Sequence, residues 1–207
     1  MCEIRYRLAK RSDAAEIADV HWHVRDRYTQ GIFLSLGKSF LKSYYKIILD
    51  DPWEVVVCAV NKDGKIVGFT NTCLDAKQEY QNIKRHKITL GLAALKTIIC
   101  KPSLLKDVWQ RYISLDSNNQ ESSFVHTEGV RGGYWCWLKT EESMKSFELT
   151  QVKNGILKLL GVNEFFFEVD KFNKAVYRFH LKVNKAEPIR EITLPDGRVR
   201  VFMRQRL

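Results

Sequence analysis

One predicted helix near the C-terminal end combines a histidine and a tyrosine, two side chains that transfer protons. Asn173, Tyr177, His180 and Asn184 are three or four positions apart, so on a helix they share one narrow face. A histidine titrates at about pH 6.5 and donates protons near neutrality, whereas tyrosine keeps its proton to about pH 10. The pattern predicts either a proton-donating site in a groove or a half-buried rim without a chemical role.

Candidates for a general base lie elsewhere in the chain. His126 and Glu128 are two positions apart, which puts both on one face if residues 124–130 form a strand. Asp75 follows the second strand of a predicted hairpin. Glu128 is our candidate for the base, because a carboxylate beside an imidazole can accept a proton. An exposed, solvating position is the alternative for each of these side chains.

The cysteines, histidines and charges limit the classes of function. The five cysteines include no Cys-x-x-Cys pair, and His21 and His23, two apart on a helix, point away from each other. We therefore expect reduced thiols and no metal. Lys and Arg number 34 against 24 Asp and Glu, and this net charge of +10 favours anionic partners. Specific nucleic-acid binding is not expected, because no recognised RNA- or DNA-binding module is visible.

The N-terminal residues alternate between charged and apolar, so they lack the apolar run of a secretory signal. No apolar stretch reaches the roughly 20 residues that cross a bilayer. We expect a cytoplasmic protein.

Apolar periodicity and turn residues predict alternating strands and helices. The expected strands cover 4–8, 53–60, 65–72, 124–130, 134–138, 164–170, 189–194 and 198–204, and the expected helices begin at Asp13 and cover 38–49, 143–160 and 172–184. Asp63-Gly64 and Pro195-Asp196-Gly197 predict hairpins, and Arg131-Gly132-Gly133 predicts a connection between two extended runs. The strand 164–170 should be central, because it is apolar on both faces.

The last two predicted helices each carry an apolar face that should point inward. These faces consist of Leu149, Val152, Ile156 and Leu159 in one helix and Phe172, Val176, Phe179 and Val183 in the other. We expect a single domain, 1–207, of the α/β (α+β) class. Its mixed, largely antiparallel sheet should be flanked by helices.

The order of these elements resembles the GNAT superfamily of acyl-CoA-dependent N-acyltransferases. Residues 3–17 look like the opening strand and the x-x-D-x-x-x-I helix of that family, and 161–175 look like its strand, V-x-x-x-N motif and following helix. The resemblance covers the chain outside an insertion at 76–117. It implies a GNAT-like fold and an enzyme that uses acetyl-CoA, without a metal, to acetylate a primary amine. The acceptor would be a small or carrier-linked molecule, such as an amino sugar of surface-polysaccharide biosynthesis.

The resemblance also implies where coenzyme A would bind. Pantetheine would lie along the strand 134–138, which includes Cys136 and Leu138. The pyrophosphate would lie at the following helix start, which comprises Ser143, Met144, Lys145 and Ser146. Asn173 would orient the cofactor, and His180 or Tyr177 would protonate the leaving thiolate.

The pyrophosphate loop departs from the family pattern Gln/Arg-x-x-Gly-x-Gly/Ala. Met144 and Ser146 stand where the glycines would be, at positions where the backbone approaches phosphate closely. A catalytically inactive GNAT-fold binding protein is therefore the alternative function.

The insertion at 76–117 is basic and amphipathic. Its cations are Lys77, Lys84, Arg85, Lys87, Lys96, Lys101, Lys106 and Arg111, against Glu79 and Asp107, and its apolar residues Ile88, Leu92, Leu95 and Ile99 recur at helical spacing. We expect a helical segment that recognises the acceptor as a lid over a phosphorylated or nucleotide-linked amine, or that contacts an anionic membrane peripherally. A structural subdomain or a homodimer contact is the alternative.

Overall fold

The computed structural model describes residues 3–26, 32–116, 126–139, 141, 144–194 and 197–207. The strands are β1 (Arg5–Leu8), β2 (Glu54–Val60), β3 (Ile66–Cys73), β4 (Arg131–Trp137), β5 (Glu164–Asp170), β6 (Glu187–Thr193) and β7 (Val199–Arg206). The α-helices are α1 (Ala14–His23), α2 (Ile32–Ser35), α3 (Lys38–Leu49), α4 (Ala76–Arg85), α5 (Lys87–Cys100), α6 (Leu104–Asp116), α7 (Lys145–Leu159) and α8 (Lys174–Lys182).

The seven strands form one sheet in the order β1-β2-β3-β4-β5-β7-β6. Every neighbouring pair is antiparallel except β4 and β5, which run parallel. Helices flank this sheet, so the predicted mixed, largely antiparallel fold is confirmed. The predicted central position of β5 is also confirmed, because β5 lies between β4 and β7.

Each face of the sheet has its own apolar core. On the front face, α1 and α3 pack over Val56, Cys58 and Phe69. On the back face, α7 and α8 pack over Val57 and Phe167. Successive side chains of a strand point to opposite faces, so the two cores are built from alternating residues of the same strands.

The inward faces of α7 and α8 differ from the prediction. Three residues predicted to point inward are exposed, namely Leu159 (89%), Phe172 (68%) and Val183 (63%). In α7, Leu149 points inward as predicted, and Val152 and Ile156 pack against the back-face core. The buried stripe of this helix is Leu149, Lys153 and Leu157. The stripe has i, i+4, i+8 spacing, but its middle residue is a lysine, so a search for apolar residues alone does not find it.

One strand replaces the two extended runs predicted around Arg131-Gly132-Gly133. β4 begins at Arg131 and includes both glycines. Residues 126–130 form no strand, so the prediction that His126 and Glu128 share a strand face is wrong. Residues 124–125 lie outside the described residues, as do Pro195 and Asp196 of the predicted C-terminal turn.

The insertion is helical, as predicted, and consists of α4, α5 and α6 in the described range. Leu90 and Ala94 of α5 belong to the front-face core. In the part of the chain that the structure describes, no helix combines the length and apolarity needed to cross a bilayer.

Candidate active site

The sheet opens between β4 and β5. The register pair that joins these strands in the described residues is Arg131 with Phe166, next to a hydrogen bond of 2.9 Å from Phe166 N to Val130 O. Beyond it, β4 continues its pairing with β3 as far as Trp137, and β5 continues with β7 as far as Asp170. The two parallel strands therefore separate toward their C-terminal ends, which we call the β4–β5 opening.

A β-bulge in β4 lies at the start of this opening. Thr70 pairs with Trp135 and Thr72 with Gly132. Two β4 residues, Gly133 and Tyr134, therefore lie opposite Asn71. Tyr134 N donates to Asn71 Oδ1 at 2.7 Å. A Cβ on Gly133 would lie 2.5 Å from the Asn71 carboxamide, so this close approach requires glycine.

We expect Gly133→Ala to lower the free energy of unfolding by about 1–3 kcal/mol, since overpacking would displace Asn71 from its hydrogen bonds. Denaturant unfolding measures this change. The matched control is Gly155→Ala in α7, where an added Cβ meets nothing within 4 Å, so that variant should be neutral or slightly stabilised. Equal unfolding midpoints for Gly133→Ala and the parent protein would contradict the packing of the bulge.

Four charged side chains lie on the front face beside the bulge, and we call them the acid cluster: Glu54, Glu79, Arg131 and Glu168. Glu79 is buried and the other three are half-buried. Arg131 Nη1 lies 3.1 Å from Glu79 Oε2, and Arg131 Nε lies 3.3 Å from Glu168 Oε1. The cluster thus contains three carboxyl groups and one guanidinium. Because burial penalises uncompensated charge, a third carboxylate is unfavourable here.

Glu54 is the carboxyl outside the ion pairs of Arg131 in the described residues. Asn71 Nδ2 donates to its Oε2 at 3.2 Å, while its Oε1 is buried and has no hydrogen-bond partner in the described part of the chain. Burial, and then the nearby Glu79, raise the pKa of Glu54 well above its usual value. Asn71 therefore connects a proton-binding carboxyl to the backbone of the bulge.

Glu168 is held in the ionised form. Burial alone would raise the pKa of Glu168, but the Arg131 guanidinium and the backbone N–H of His126 hold it below its usual value. The backbone N–H of His126 donates to Glu168 Oε1. The His126 ring stacks on the Phe166 ring, with 4.3 Å between the centroids. Glu128, our candidate base from the sequence, is exposed in the bend before β4.

Three members of this region offer metal-ligand atoms, since atoms of Glu54, Cys73 and Glu79 lie within 4.8 Å of one another. The Cys73 thiol donates to Asp75 O at 3.1 Å, and burial raises its pKa, so it keeps its proton. Glu79 is already paired with Arg131. A metal ion bound here would have to displace the proton of the Cys73 thiol and would lie close to the Arg131 guanidinium. Glu54, Cys73 and Glu79 are therefore better suited to holding a proton than a metal ion.

His21 is buried in the front-face core. Its Nδ1 lies 2.7 Å from the Tyr45 hydroxyl, and its ring lies 4.3 Å from the ring of Tyr134 in the bulge. Burial lowers the pKa of His21 to about 3, so the imidazole is neutral.

On the back face, an aromatic cluster extends across the β4–β5 opening: Trp135, Phe147, Phe167, Phe179 and His180. Phe147 of α7 stacks on Phe179 of α8 at 4.6 Å, and His180 contacts Phe167 of β5 at 4.4 Å. Trp135 of β4 lies 5.2 Å from Phe179. Its Nε1 is buried with no hydrogen-bond partner in the described residues, so an indole donor is left available beside the opening.

α8 carries the predicted stripe against the back of the sheet. Tyr177 packs on the back-face core, and the Nδ1 atom of the half-buried His180 lies 3.1 Å from Asn184 Nδ2. Burial, and then the nearby Lys153, lower the pKa of His180 to about 3, so its imidazole is neutral at pH 7. Asn173 caps α8 by accepting a hydrogen bond from a backbone N–H of the first turn.

Lys153 is a buried amine that the sequence analysis missed. It lies between Leu149 and Leu157 on the inner stripe of α7, with Nζ 4.0 Å from the centroid of the Phe165 ring. Burial lowers its pKa to about 7. A lysine four positions from a core leucine on either side was the sequence signal that could have identified it.

The start of α7 brings together Met144, Lys145 and Ser146, while Ser143 lies outside the described residues. Met144 is 65% exposed and Ser146 is buried. The Tyr6 hydroxyl donates to Lys145 O at 2.8 Å and fixes this first turn to β1. Lys145 Nζ lies 2.7 Å from Glu148 Oε1, so part of its charge is already compensated.

Two predicted cofactor-binding residues, Cys136 in β4 and Leu138 just after it, have different surroundings. Cys136 is buried in the front-face core, and Leu138 packs against both cores. The structure therefore brings Leu138 close to the back face and leaves Cys136 on the opposite side of the sheet.

Comparisons of the sequence with protein-family models and with curated proteins find no match. Solved structures do match over nearly the whole chain. A suggested acetyltransferase from Acinetobacter baylyi ADP1 has a TM-score of 0.59 and 12% identity, covering 100% of this chain and 93% of that one. A GNAT-family acetyltransferase from Staphylococcus aureus MU50 has a TM-score of 0.56 and 12% identity, covering 99% of each chain.

A third similar structure, yncA from Salmonella typhimurium, is a suggested acetyltransferase with its cofactor acetyl-CoA. Its TM-score is 0.56 at 10% identity, with 99% of this chain and 94% of that chain covered. The open mixed sheet and these similarities together show that the chain has the GNAT fold.

Proposed function

We propose that this chain is an N-acetyltransferase that transfers an acetyl group from acetyl-CoA to a primary amine of a small or carrier-linked acceptor. The observation that carries this proposal is the β4–β5 opening, with a bulge at its start and the buried Glu54 carboxyl connected to that bulge through Asn71. An amino sugar of a surface polysaccharide is the acceptor to test first, as the sequence resemblance implies.

The residues around the opening are suited to acetyl-CoA as the donor substrate. Pantetheine is a linear chain with two amide groups, so it can lie beside an extended strand as a further strand would. Trp135 Nε1 offers a donor there. The N–H groups of the first turn of α7 favour an anion such as the pyrophosphate, even though Met144 and Ser146 replace the family's glycines.

The acceptor amine would approach from the front face. An ammonium group must lose a proton before its nitrogen attacks the thioester carbon. Glu54 would receive that proton, because its raised pKa makes its carboxylate a stronger base than an exposed one. The N–C bond then forms, the C–S bond breaks, and the departing thiolate requires a proton.

Three side chains near the back face are candidates for that last proton. The neutral His180 can offer only a hydrogen bond, and Tyr177 can donate its phenolic proton. Lys153, with a pKa of about 7, is partly protonated near neutral pH. Transfer from it to a thiolate is favourable, since a thiol has a pKa of about 8.5.

The pH dependence of turnover distinguishes these donors. With Lys153 as the donor, kcat falls as pH rises through about 7, and the Lys153→Met variant loses this limb while His180→Ala keeps it. If Lys153→Met retains the limb, Lys153 is not the donor, and the remaining candidates lie on α8. The double variant His180→Ala, Tyr177→Phe should then lose about 10²-fold in turnover.

Binding without catalysis is the second candidate function. It is favoured by the missing glycines of the pyrophosphate loop. It is also favoured by the Phe147–Phe179 contact, which joins α7 to α8 on the back face beside the β4–β5 opening. Incubating the full chain with acetyl-CoA and a panel of amino sugars separates the two functions. Amine-dependent release of the coenzyme A thiol, with an acetylated amine seen by mass spectrometry, is expected. Acetyl-CoA binding without release for any amine would favour the binding protein.

A further inference from the structure

α5 has two apolar faces, and one of them lies in solvent. Leu90 and Ala94 are buried in the front-face core. On the other side, four large aliphatic side chains remain exposed: Ile88 (72%), Leu92 (67%), Leu95 (49%) and Ile99 (68%). Their i, i+4, i+7, i+11 spacing places them on one stripe, which extends along a helix about 21 Å long at 1.5 Å per residue.

The next helix, α6, also exposes apolar side chains. It begins after a connection of three residues, and it exposes Leu105 (55%) and Trp109 (63%) one turn apart. We call the four residues of α5 and these two residues the apolar stripe. Exposed apolar side chains in this number on a folded protein mark a contact with a partner or a membrane.

The charges around the apolar stripe are almost all positive. The exposed cations from 76 to 110 are Lys77, Lys84, Arg85, Lys87, Lys96, Lys101 and Lys106, whereas the exposed acid in that range is Asp107. Glu79 is buried and paired with Arg131. Lys84, Arg85 and Lys87 immediately precede Ile88 in the sequence, so exposed cations stand at the N-terminal end of the apolar stripe.

We propose that the apolar stripe binds peripherally to the surface of an anionic lipid bilayer. The aliphatic side chains would enter the boundary between headgroups and acyl chains, and the lysines and arginine would contact lipid phosphates. Trp109 suits this position, since indole rings concentrate at membrane–water boundaries. A second copy of the chain is a poorer occupant, because apposing two cation-rich surfaces would bring like charges together.

Co-sedimentation of the full chain with vesicles tests this inference. The vesicles are phosphatidylcholine alone, or phosphatidylcholine with phosphatidylglycerol, at about 0.1 M salt and at about 0.5 M salt. We expect binding to the anionic vesicles, little binding to the neutral ones, and weaker binding at the higher salt concentration. Failure to bind the anionic vesicles would overturn the proposal.

Two variants separate the apolar and the charged contributions. Lys84→Ser, Arg85→Ser, Lys87→Ser should weaken partitioning on the order of 10²-fold, and Leu92→Gln, Leu95→Gln should weaken it by about 10-fold or more. The matched control Lys158→Ser, Leu159→Gln changes exposed residues of α7 and should bind normally. All are checked for an unchanged unfolding temperature.

Equal binding by the parent protein and both stripe variants would overturn the proposal. So would a concentration-dependent dimer in analytical ultracentrifugation that Leu92→Gln, Leu95→Gln abolishes, because it would assign the apolar stripe to a second copy of the chain.

Discussion

Replacing Glu54 with Gln is expected to lower kcat/KM by about 10²–10⁴-fold, the range for a positioned general base. The glutamine keeps the size of the side chain and can still accept the hydrogen bond from Asn71 Nδ2, but it cannot take a proton from the amine. Affinity for acetyl-CoA should remain nearly unchanged, because Glu54 lies on the front face. The matched control is Glu191→Gln, an exposed carboxyl of β6 paired with Lys171.

The pH dependence of the same variant gives an independent check. Because burial raises the pKa of Glu54, the activity of the parent protein should fall as pH decreases through that raised value, and Glu54→Gln should lack this limb. The folded state also binds this proton more tightly than the unfolded state. The free energy of unfolding should therefore decrease as pH rises from about 4.3, the unfolded value, toward the raised pKa, and the variant should lack that decrease. Full activity in Glu54→Gln would exclude Glu54 as the base.

Ser146→Glu is expected to weaken acetyl-CoA binding by at least about 10²-fold. Ser146 is buried in the first turn of α7, where the positive end of the helix dipole attracts an anion. A carboxylate at this position would occupy that end of the helix and repel the pyrophosphate. Isothermal titration calorimetry measures the loss.

Two controls accompany this variant. Ser146→Ala removes the hydroxyl without adding charge, so it should retain most of the affinity. Thermal unfolding shows whether the larger glutamate disturbs α7, since a folded Ser146→Glu protein must unfold at nearly the temperature of the parent. Unchanged affinity in folded Ser146→Glu would place the phosphates elsewhere.

The fold was largely predictable because its signals are local. α3 has the predicted bounds, and Asp63-Gly64 joins β2 and β3 in the predicted hairpin. Both depend on periodicity or turn chemistry within a few residues. Gly132 and Gly133 were misread as a turn, because the contacts that require them come from Phe167 and Asn71, which are distant in the sequence.

The candidate site was less predictable, because its residues are distant from one another in the sequence. Glu54, Glu79, Arg131 and Glu168 come from β2, α4, β4 and β5, so no spacing in the sequence connects them. His180 and Tyr177 were found because one helix carries both, but the burial that makes His180 neutral depends on the surrounding fold. Lys153 was missed because the apolar pattern of α7 was traced through apolar residues alone, although Leu149 and Leu157 flank this lysine at helical spacing.

A crystal structure of the full chain with saturating acetyl-CoA would show where the cofactor binds. We expect pantetheine in the β4–β5 opening beside Trp135, the pyrophosphate at the first turn of α7, and separation of the Phe147 and Phe179 rings that are now 4.6 Å apart. The thioester should lie near the bulge at Gly133 and Tyr134. Coenzyme A bound elsewhere, with the Phe147–Phe179 contact intact and the β4–β5 opening unchanged, would contradict the account.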